Sequence, residues 1–114
     1  MKYVILIMNN SEAIAKLAAD ESDTWTKEIL AWYEKWGAEG KLIDGGQELD
    51  DASKAKTIRA SGITDGPFIE AKEVVGGFSV LETETMDEAV DIAKTWPGIE
   101  QGLITIEVRP VYVR

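Results

Sequence analysis

The chain has 114 residues, with 12 Lys and Arg against 21 Asp and Glu, a formal net charge of -9, and neither His nor Cys. This length fits one domain, and a hydrophobic content of 45% suffices for one core. The missing His and Cys exclude Ser-His-Asp and Cys-His catalysis, imidazole and thiolate metal sites, and disulfides. The negative charge repels phosphate backbones and anionic lipids, so we expect no nucleic-acid or membrane partner. With no apolar run long enough for a membrane span or a signal peptide, we expect a cytoplasmic protein.

Residues 2–17 predict a strand followed by a short helix. The apolar run at residues 2–8 ends in Asn9-Asn10, a pair typical of a turn. Both faces of this strand are apolar, with Tyr3, Ile5 and Ile7 on one side and Val4, Leu6 and Met8 on the other. We therefore expect a central strand that is covered on both faces. Ser11 is a suitable N-cap for the short helix.

A longer helix follows, with candidate N-caps at Ser22, Asp23 and Thr24 and stop signals at Gly37 and Gly40. Its apolar stripe recurs at helical spacing and consists of Trp25, Ile29, Trp32, Tyr33 and Trp36. Three tryptophans on one stripe indicate either a platform for a ligand or a helix that packs bulky side chains against a sheet. We favour the packing interpretation.

The middle of the chain predicts three more strands, over residues 41–49, 55–60 and 74–83. Gly45-Gly46 interrupts the first of them and indicates a bulge or a close backbone approach. Residues 50–54 form a polar loop, and turns are predicted at residues 61–62 and 65–67. Gly76-Gly77 permits the close approach of a ligand or of a neighbouring strand, and we favour the strand.

A helix and a strand complete the predicted elements. Thr85 and Glu88 form a capping box at the start of the helix, which Pro97-Gly98 ends. The last strand is predicted over residues 103–113. Its core face carries Ile104, Ile106 and Val108, and its opposite face carries Thr105, Glu107 and Arg109.

The resulting order, β-α-β-β-β-α-β, predicts an α+β fold in a single domain over residues 1–114. Two main helices and antiparallel strands fit a ferredoxin-like sandwich, with the helices on one face of the sheet. The other face would then be open, although the first strand is apolar on that side too. A second copy of the chain would cover it, so we expect a homodimer.

Residues 65–78 (DGPFIEAKEVVGGF) carry the most distinctive motifs of the chain. They resemble the YCII-related family, specifically the branch named after its Asp-Gly-Pro-Phe motif, which stands intact at residues 65–68. The E-x-K-E pattern at residues 70–73 and the Gly-Gly-Phe at residues 76–78 also match that branch. Further matches at residues 1–3, 45–46, 87–89 and 107–111 extend the resemblance over essentially the whole chain.

The resemblance implies a dimeric α+β barrel, in which the sheets of two ferredoxin-like subunits face each other, and a small-molecule cleft in each subunit. The broader family includes enzymes proposed to use a His-Asp pair, which this sequence cannot form because it has no His. Most members of the branch have no established activity. Some lie in gene neighbourhoods with alternative sigma factors, which hints at a regulatory link.

Asp65 is the main candidate for a catalytic residue, as a general base. Burial near Phe68 and Phe78 would raise its pKa into a useful range. The structural alternative, which has equal weight, is that the Asp65 carboxylate caps the turn that Gly66 and Pro67 form. We interpret Gly66 and Pro67 as residues that set the geometry of this turn.

Lys72 and Arg109 are the candidate cations for a bound molecule, next to Phe68 and Phe78 as its apolar contacts. Lys72 could hold an anion, but the charged run around it is more typical of a solvated surface. Arg109 shares a strand face with Glu107, so it either lines the cleft or forms an ion pair across the dimer interface. We favour the ion pair, since a buried interface must neutralise its charges.

Four acidic residues, Asp44, Glu48, Asp50 and Asp51, could attract Mg²⁺ or Ca²⁺, but their spacing does not match a calcium-binding loop, and we favour a solvated edge. With no glycine-rich phosphate loop and no dinucleotide motif, we expect neither a cofactor nor a bound metal. The leading hypothesis is small-molecule binding in a cleft lined by Asp65, Phe68, Lys72 and Arg109, extending to acid-base catalysis by Asp65. The alternative is a non-enzymatic dimeric interaction or regulatory module.

Overall fold

The computed structural model describes residues 1–68 and 73–114. Six strands, three helices and one 3-10 turn are formed within these ranges. They are β1 (Lys2–Asn10), α1 (Ser11–Ala15), α2 (Ala19–Ala38), β2 (Leu42–Glu48), the 3-10 turn Ala52–Lys54, β3 (Lys56–Arg59), β4 (Gly62–Asp65), β5 (Glu73–Glu82), α3 (Met86–Ala93) and β6 (Ile104–Pro110).

Four strands form one antiparallel sheet in the order β2-β5-β1-β6, while β3 and β4 form a separate two-stranded hairpin. With β1 central and the helices on one face, the sheet has the strand order of a ferredoxin-like fold. The predicted fold class, an α+β ferredoxin-like sandwich, is therefore confirmed. None of the helices in residues 1–68 and 73–114 is both long enough and apolar enough to cross a membrane.

Residues 62–65, for which no strand was predicted, form β4, and most of the predicted element ends shift, three of them as follows. Helix α2 begins at Ala19 rather than after residues 22–24, because the Glu21 carboxylate accepts a hydrogen bond from the Ala18 backbone N–H and satisfies that end of the helix. Asn10, rather than Ser11, caps α1 by accepting a hydrogen bond from the Ala13 N–H at 3.2 Å. Strand β6 ends at Pro110 rather than at residue 113.

The buried core lies between the sheet and the helices. Tyr3, Ile5 and Ile7 of β1 are buried there, and Trp32 of α2 packs among them. The Trp32 Nε1 donates to Thr95 Oγ1, and the Trp25 Nε1 donates to the Pro97 carbonyl, both at 2.9 Å. The stripe of α2 thus packs against the sheet, which confirms the packing interpretation of its tryptophans.

Two glycine pairs allow the strands to approach one another. Gly46 has φ +69° within the irregular pairing of β2 with β5, and a Cβ there would lie 1.7 Å from the Phe78 carbonyl oxygen. A Cβ at Gly76 would collide with the Asn9 side chain, and one at Gly77 would lie 2.9 Å from the Gln47 carbonyl oxygen. The predicted bulge and the close approach of neighbouring strands are both confirmed.

The second face of the sheet, which we call the open face, carries no helix or strand layer formed by residues 1–68 and 73–114. It carries Val4, Leu6 and Met8 of β1, which are partly exposed, beside Phe78 and Val80 of β5. The chain measures 45 × 43 × 19 Å, so its thin dimension holds one sheet and one helix layer. The coverage of β1 on both faces, expected from its sequence, is therefore only half present in one copy of the chain.

The hairpin of β3 and β4 lies outside this two-layer body. Its Ile58 and Ile63 face each other across the two strands and remain 77% and 65% exposed. The radius of gyration is 15.3 Å, whereas a compact chain of this length would have about 13 Å. The hairpin is thus held more by its own cross-strand pairing than by burial in the core.

Candidate functional site

The turn at residues 65–68 is tied to the start of β3. The Gly66 N–H donates to the Ala55 carbonyl at 2.7 Å, and the Thr57 hydroxyl donates to the Gly66 carbonyl at 2.9 Å. Gly66 has φ +97°, a conformation that favours glycine. These contacts confirm that the glycine of this motif sets the geometry of the turn.

Asp65 lies at the end of β4, opposite Lys56 of β3, and forms an ion pair with it. Its side chain is 83% exposed, so the burial expected near Phe68 and Phe78 is absent within one copy of the chain. Among residues 1–68 and 73–114, the hydrogen bonds of the turn are made by Gly66 and Thr57, not by the Asp65 carboxylate. Within these residues neither the expected buried base nor the expected carboxylate cap is observed, and Asp65 instead pairs with a lysine across the hairpin.

Phe68 is held by Arg59 of β3. The Arg59 guanidinium donates to the Phe68 carbonyl at 3.0 Å and lies 5.2 Å from the centre of its ring. The Phe68 side chain nevertheless remains 69% exposed. A large apolar ring that is fixed at its backbone and open to solvent is suited to contact a ligand.

A cleft of about 630 Å³ opens beside this ring, and we call it the Phe68 cleft. Among the described residues, three segments form its walls: the loop that follows β2, the turn at Pro67 and Phe68, and the first residues of β5. The described lining consists of residues 49–52, 54, 55, 67, 68 and 73–75. Since Val75 pairs with Met8 of β1, the cleft adjoins one end of the open face.

Local hydrogen bonds fix the polar wall of the Phe68 cleft. Asp51 caps the 3-10 turn by accepting from the Ser53 N–H at 2.8 Å, and Lys54 forms an ion pair with Asp50 at 2.8 Å. The pKa of Asp50 is lowered mainly by its hydrogen bond with Lys54, and the pKa of Asp51 mainly by the Ser53 backbone N–H. Both carboxylates are therefore ionised at neutral pH.

The other predicted site residues lie elsewhere. Phe78 and Arg109 are on the open face, in rows of side chains on either side of β1. Arg109 is exposed and lies 3.7 Å from Glu107 of its own strand. Of the predicted contacts, Phe68 alone lines the Phe68 cleft among the residues described; Lys72 lies outside the described residues.

Several lining residues were not predicted, among them Leu49, Lys54, Val74 and Val75. The sequence contained one usable signal, since Asp51-Ala-Ser53 has the spacing of a local cap that fixes a loop. The two valines carry no such signal, because a valine in a strand is typical of any sheet. Over residues 1–68 and 73–114 no group of three or more side chains could hold a metal ion.

Comparisons with known proteins give a family model, a relative and a solved structure that are similar to this chain. The model of the YCII-related domain matches residues 1–113. An uncharacterized protein of Rhizobium meliloti (strain 1021) is 29% identical over 115 residues, which cover 97% of this chain and 92% of that protein. Among solved structures, 5-chloro-2-hydroxyhydroquinone dehydrochlorinase from Burkholderia phenoliruptrix AC1100, in complex with 2,5-dihydroxybenzoquinone, is similar with a TM-score of 0.56. The match covers 100% of this chain and 96% of the dehydrochlorinase at 18% identity, and the likeness is one of fold.

Proposed function

The chain belongs to the YCII-related domain family, and we propose that it binds a small organic molecule in the Phe68 cleft. The observation that carries this proposal is the exposed Phe68 ring at the wall of a cleft of about 630 Å³. Clefts that hold small ligands have volumes of roughly 300–1,000 Å³ and walls that are mostly apolar. The dehydrochlorinase with a similar fold is complexed with a ring compound, which supports the choice of ring compounds as probes.

Binding can be tested with 2-phenylethanol, a neutral ring compound, by following backbone amide signals in NMR titrations. We expect the amides of Val74 and Val75 to shift, with a dissociation constant on the order of 1 mM for so small a probe. Phe68→Ala should remove these shifts. Tyr112→Ala is the matched control, because Tyr112 is an aromatic residue of similar exposure, 79%, outside the cleft. Equal shifts in both variants, or none in the native chain, would contradict the proposal.

A homodimer formed through the open face is the second part of the proposal. An apolar row of Val4, Leu6 and Val80 lies between polar edges, and Glu107 and Arg109 of one copy can pair with Arg109 and Glu107 of the other. Such a dimer would cover the face that the sheet leaves open. It would also bring a second subunit close to the Phe68 cleft, which adjoins that face at Val75.

Light scattering at micromolar concentration tests the dimer directly, and a mass of twice 12.5 kDa is expected. Leu6→Lys should give the monomer mass, because it places a charge in an apolar interface. Val90→Lys is the control, since Val90 lies exposed on α3, on the helix side. A native monomer, or a Leu6→Lys variant that remains dimeric, would refute this interface.

Catalysis by Asp65 as a general base extends the binding proposal. Its exposure in one copy means that any burial must come from a bound molecule or from the second subunit. Asp65→Asn keeps the shape of the side chain and removes the base, so turnover of a substrate should be lost while binding of 2-phenylethanol is retained. Turnover that survives in this variant would exclude Asp65 as the base.

The alternative function, a non-enzymatic interaction module, is favoured by the exposed pair Ile58 and Ile63 on the hairpin. A second copy of the chain is the first partner to test. If the double variant Ile58→Lys/Ile63→Lys is monomeric while Leu6→Lys remains dimeric, the hairpin is the contact surface and the alternative is favoured. The opposite pattern favours the open-face dimer.

A further inference from the structure

We propose that the Phe68 cleft selects small organic cations, meaning an apolar ring that carries a protonated amine, over neutral and anionic molecules of the same shape. This inference rests on the proposed function, because it specifies the ligand of that same cleft. Two observations carry it: the balance of charges around the cleft and the position of an exposed aromatic ring beside them.

The charges that line the cleft are mostly negative. The lining contains three carboxylates, those of Asp50, Asp51 and Glu73. It contains one cation, Lys54, which already forms an ion pair with Asp50 at 2.8 Å. The described lining therefore has a net charge of -2.

Arg59, a cation among the described residues that lies beside the lining, does not reverse the sign. Arg59 lies over the Phe68 ring and donates hydrogen bonds to the Phe68 carbonyl and to the Thr64 hydroxyl. Counting Arg59 with the lining leaves a net charge of -1. The ion pair of Lys56 with Asp65, on the same hairpin, is neutral.

Asp51 and Glu73 retain the capacity to accept hydrogen bonds from a ligand. Asp51 accepts from the Ser53 N–H, and Glu73 accepts from the Thr105 hydroxyl at 3.1 Å. A carboxylate offers about four acceptor positions, so a protonated amine could still donate to either of them. A ligand carboxylate would instead meet like charges.

The apolar part of the cleft would hold the ring of such a ligand. Pro67 and Phe68 form one wall, and Val74 and Val75 form another. The face of a phenylalanine ring also attracts cations, as the position of Arg59 illustrates. The ring of the ligand would thus contact the apolar walls of the cleft, and its amine would contact the carboxylates.

Three probes of nearly equal shape test the selectivity: 2-phenylethylammonium, 2-phenylethanol and 3-phenylpropionate. At low ionic strength we expect the ammonium compound to bind about tenfold more tightly than the carboxylate, with the alcohol between them. Added salt should narrow this difference. If the alcohol or the carboxylate binds as tightly as the amine, the charge inference fails while the binding proposal stands. If none of the three shifts the amides of Val74 and Val75, the binding proposal itself fails.

Two variants remove charge while keeping hydrogen-bond acceptors. Asp51→Asn still offers an oxygen to the Ser53 N–H, and Glu73→Gln still offers one to Thr105. Each should weaken amine binding by about threefold and alcohol binding by less than that, because the alcohol carries no charge. Asp91→Asn is the control, because Asp91 is an exposed carboxylate on α3, outside the cleft. An equal loss in all three variants would mean that overall charge, and not the cleft, determines the preference.

Discussion

The sheet-and-helix body and the β3–β4 hairpin are stabilised in different ways. In the body, Ile5 and Leu81 are fully buried, and the strands are fixed by pairing on both sides of β1. In the hairpin, the central pair Ile58 and Ile63 is exposed, and the register is kept by cross-strand bonds and by the tie from Gly66 to Ala55. The fold therefore depends on the body, whereas the hairpin carries surface that folding does not require.

The candidate site lies where these two regions meet. Phe68 and Pro67 belong to the turn after the hairpin, while Val74 and Val75 belong to β5 of the body. One wall of the Phe68 cleft is thus fixed by the sheet, and another lies in the turn that follows a two-stranded element. Residues in the wall formed by the turn can therefore be replaced without loss of stability in the core.

Deletion of a buried side chain in the body is expected to have the largest effect. Ile5→Ala should lower the free energy of unfolding by about 4 kcal/mol, since it removes buried methyl groups and leaves a cavity. Ile58→Ala, the same substitution in the hairpin, should change it by no more than about 0.5 kcal/mol. Urea denaturation followed by tryptophan fluorescence measures both. Similar losses in the two variants would mean that Ile58 is buried in solution, and the contrast between the regions would be wrong.

Backbone crowding in the body should have the next largest effect. Gly46→Ala should lower the free energy of unfolding by about 3 kcal/mol, because its Cβ would collide with the Phe78 carbonyl at a positive φ. Gly40→Ala is the matched control: its φ is also positive, +73°, but nothing lies within 4 Å of the new Cβ. The Gly40→Ala variant should lower the free energy of unfolding by only about 1 kcal/mol. If both variants lost the same amount of stability, conformational strain alone would explain the requirement for glycine at position 46.

The acid sensitivity of the body should depend in part on Glu88. Its pKa is lowered from the ordinary value of 4.5, first by the Glu84 backbone N–H and then by Lys41. Since the folded chain holds the ionised form, Glu88 contributes its stability fully above pH 4.5, and the contribution is lost as the pH falls through the lowered pKa. In Glu88→Gln the free energy of unfolding should therefore decrease less steeply as the pH falls below 4.5. Glu84→Gln is the control, because it removes a carboxylate that forms no hydrogen bond within residues 1–68 and 73–114. In this variant stability should fall with decreasing pH as steeply as in the native chain.

The body could be predicted from the sequence far better than the site. Strand β1 follows from its apolar run, β6 from the alternation of its two faces and α3 from its capping box, because a buried face restricts which residue types can occupy it. Strand β4 was missed, since residues 62–65 are short, exposed and flanked by turn residues. Most of the lining of the Phe68 cleft does not follow from the sequence for a related reason: its walls come from the loop after β2, the Pro67 turn and the start of β5, and the contacts between them leave no periodic pattern. Asp65 was correctly placed beside a turn, but its ion pair with Lys56 depends on a hairpin register that the missed strand defines.

The smallest effect is expected from Asp65→Asn, and it decides how that residue should be interpreted. An exposed ion pair contributes less than about 1 kcal/mol, so the variant should fold with nearly native stability. Lys56→Gln removes the other partner of the same ion pair and should lower the free energy of unfolding by a similarly small amount. If Asp65→Asn alone were strongly destabilised, its carboxylate would hold a contact beyond the pair, such as one to a second subunit. If the two variants match in stability while only Asp65→Asn loses turnover, the hairpin presents Asp65 for chemistry and not for folding.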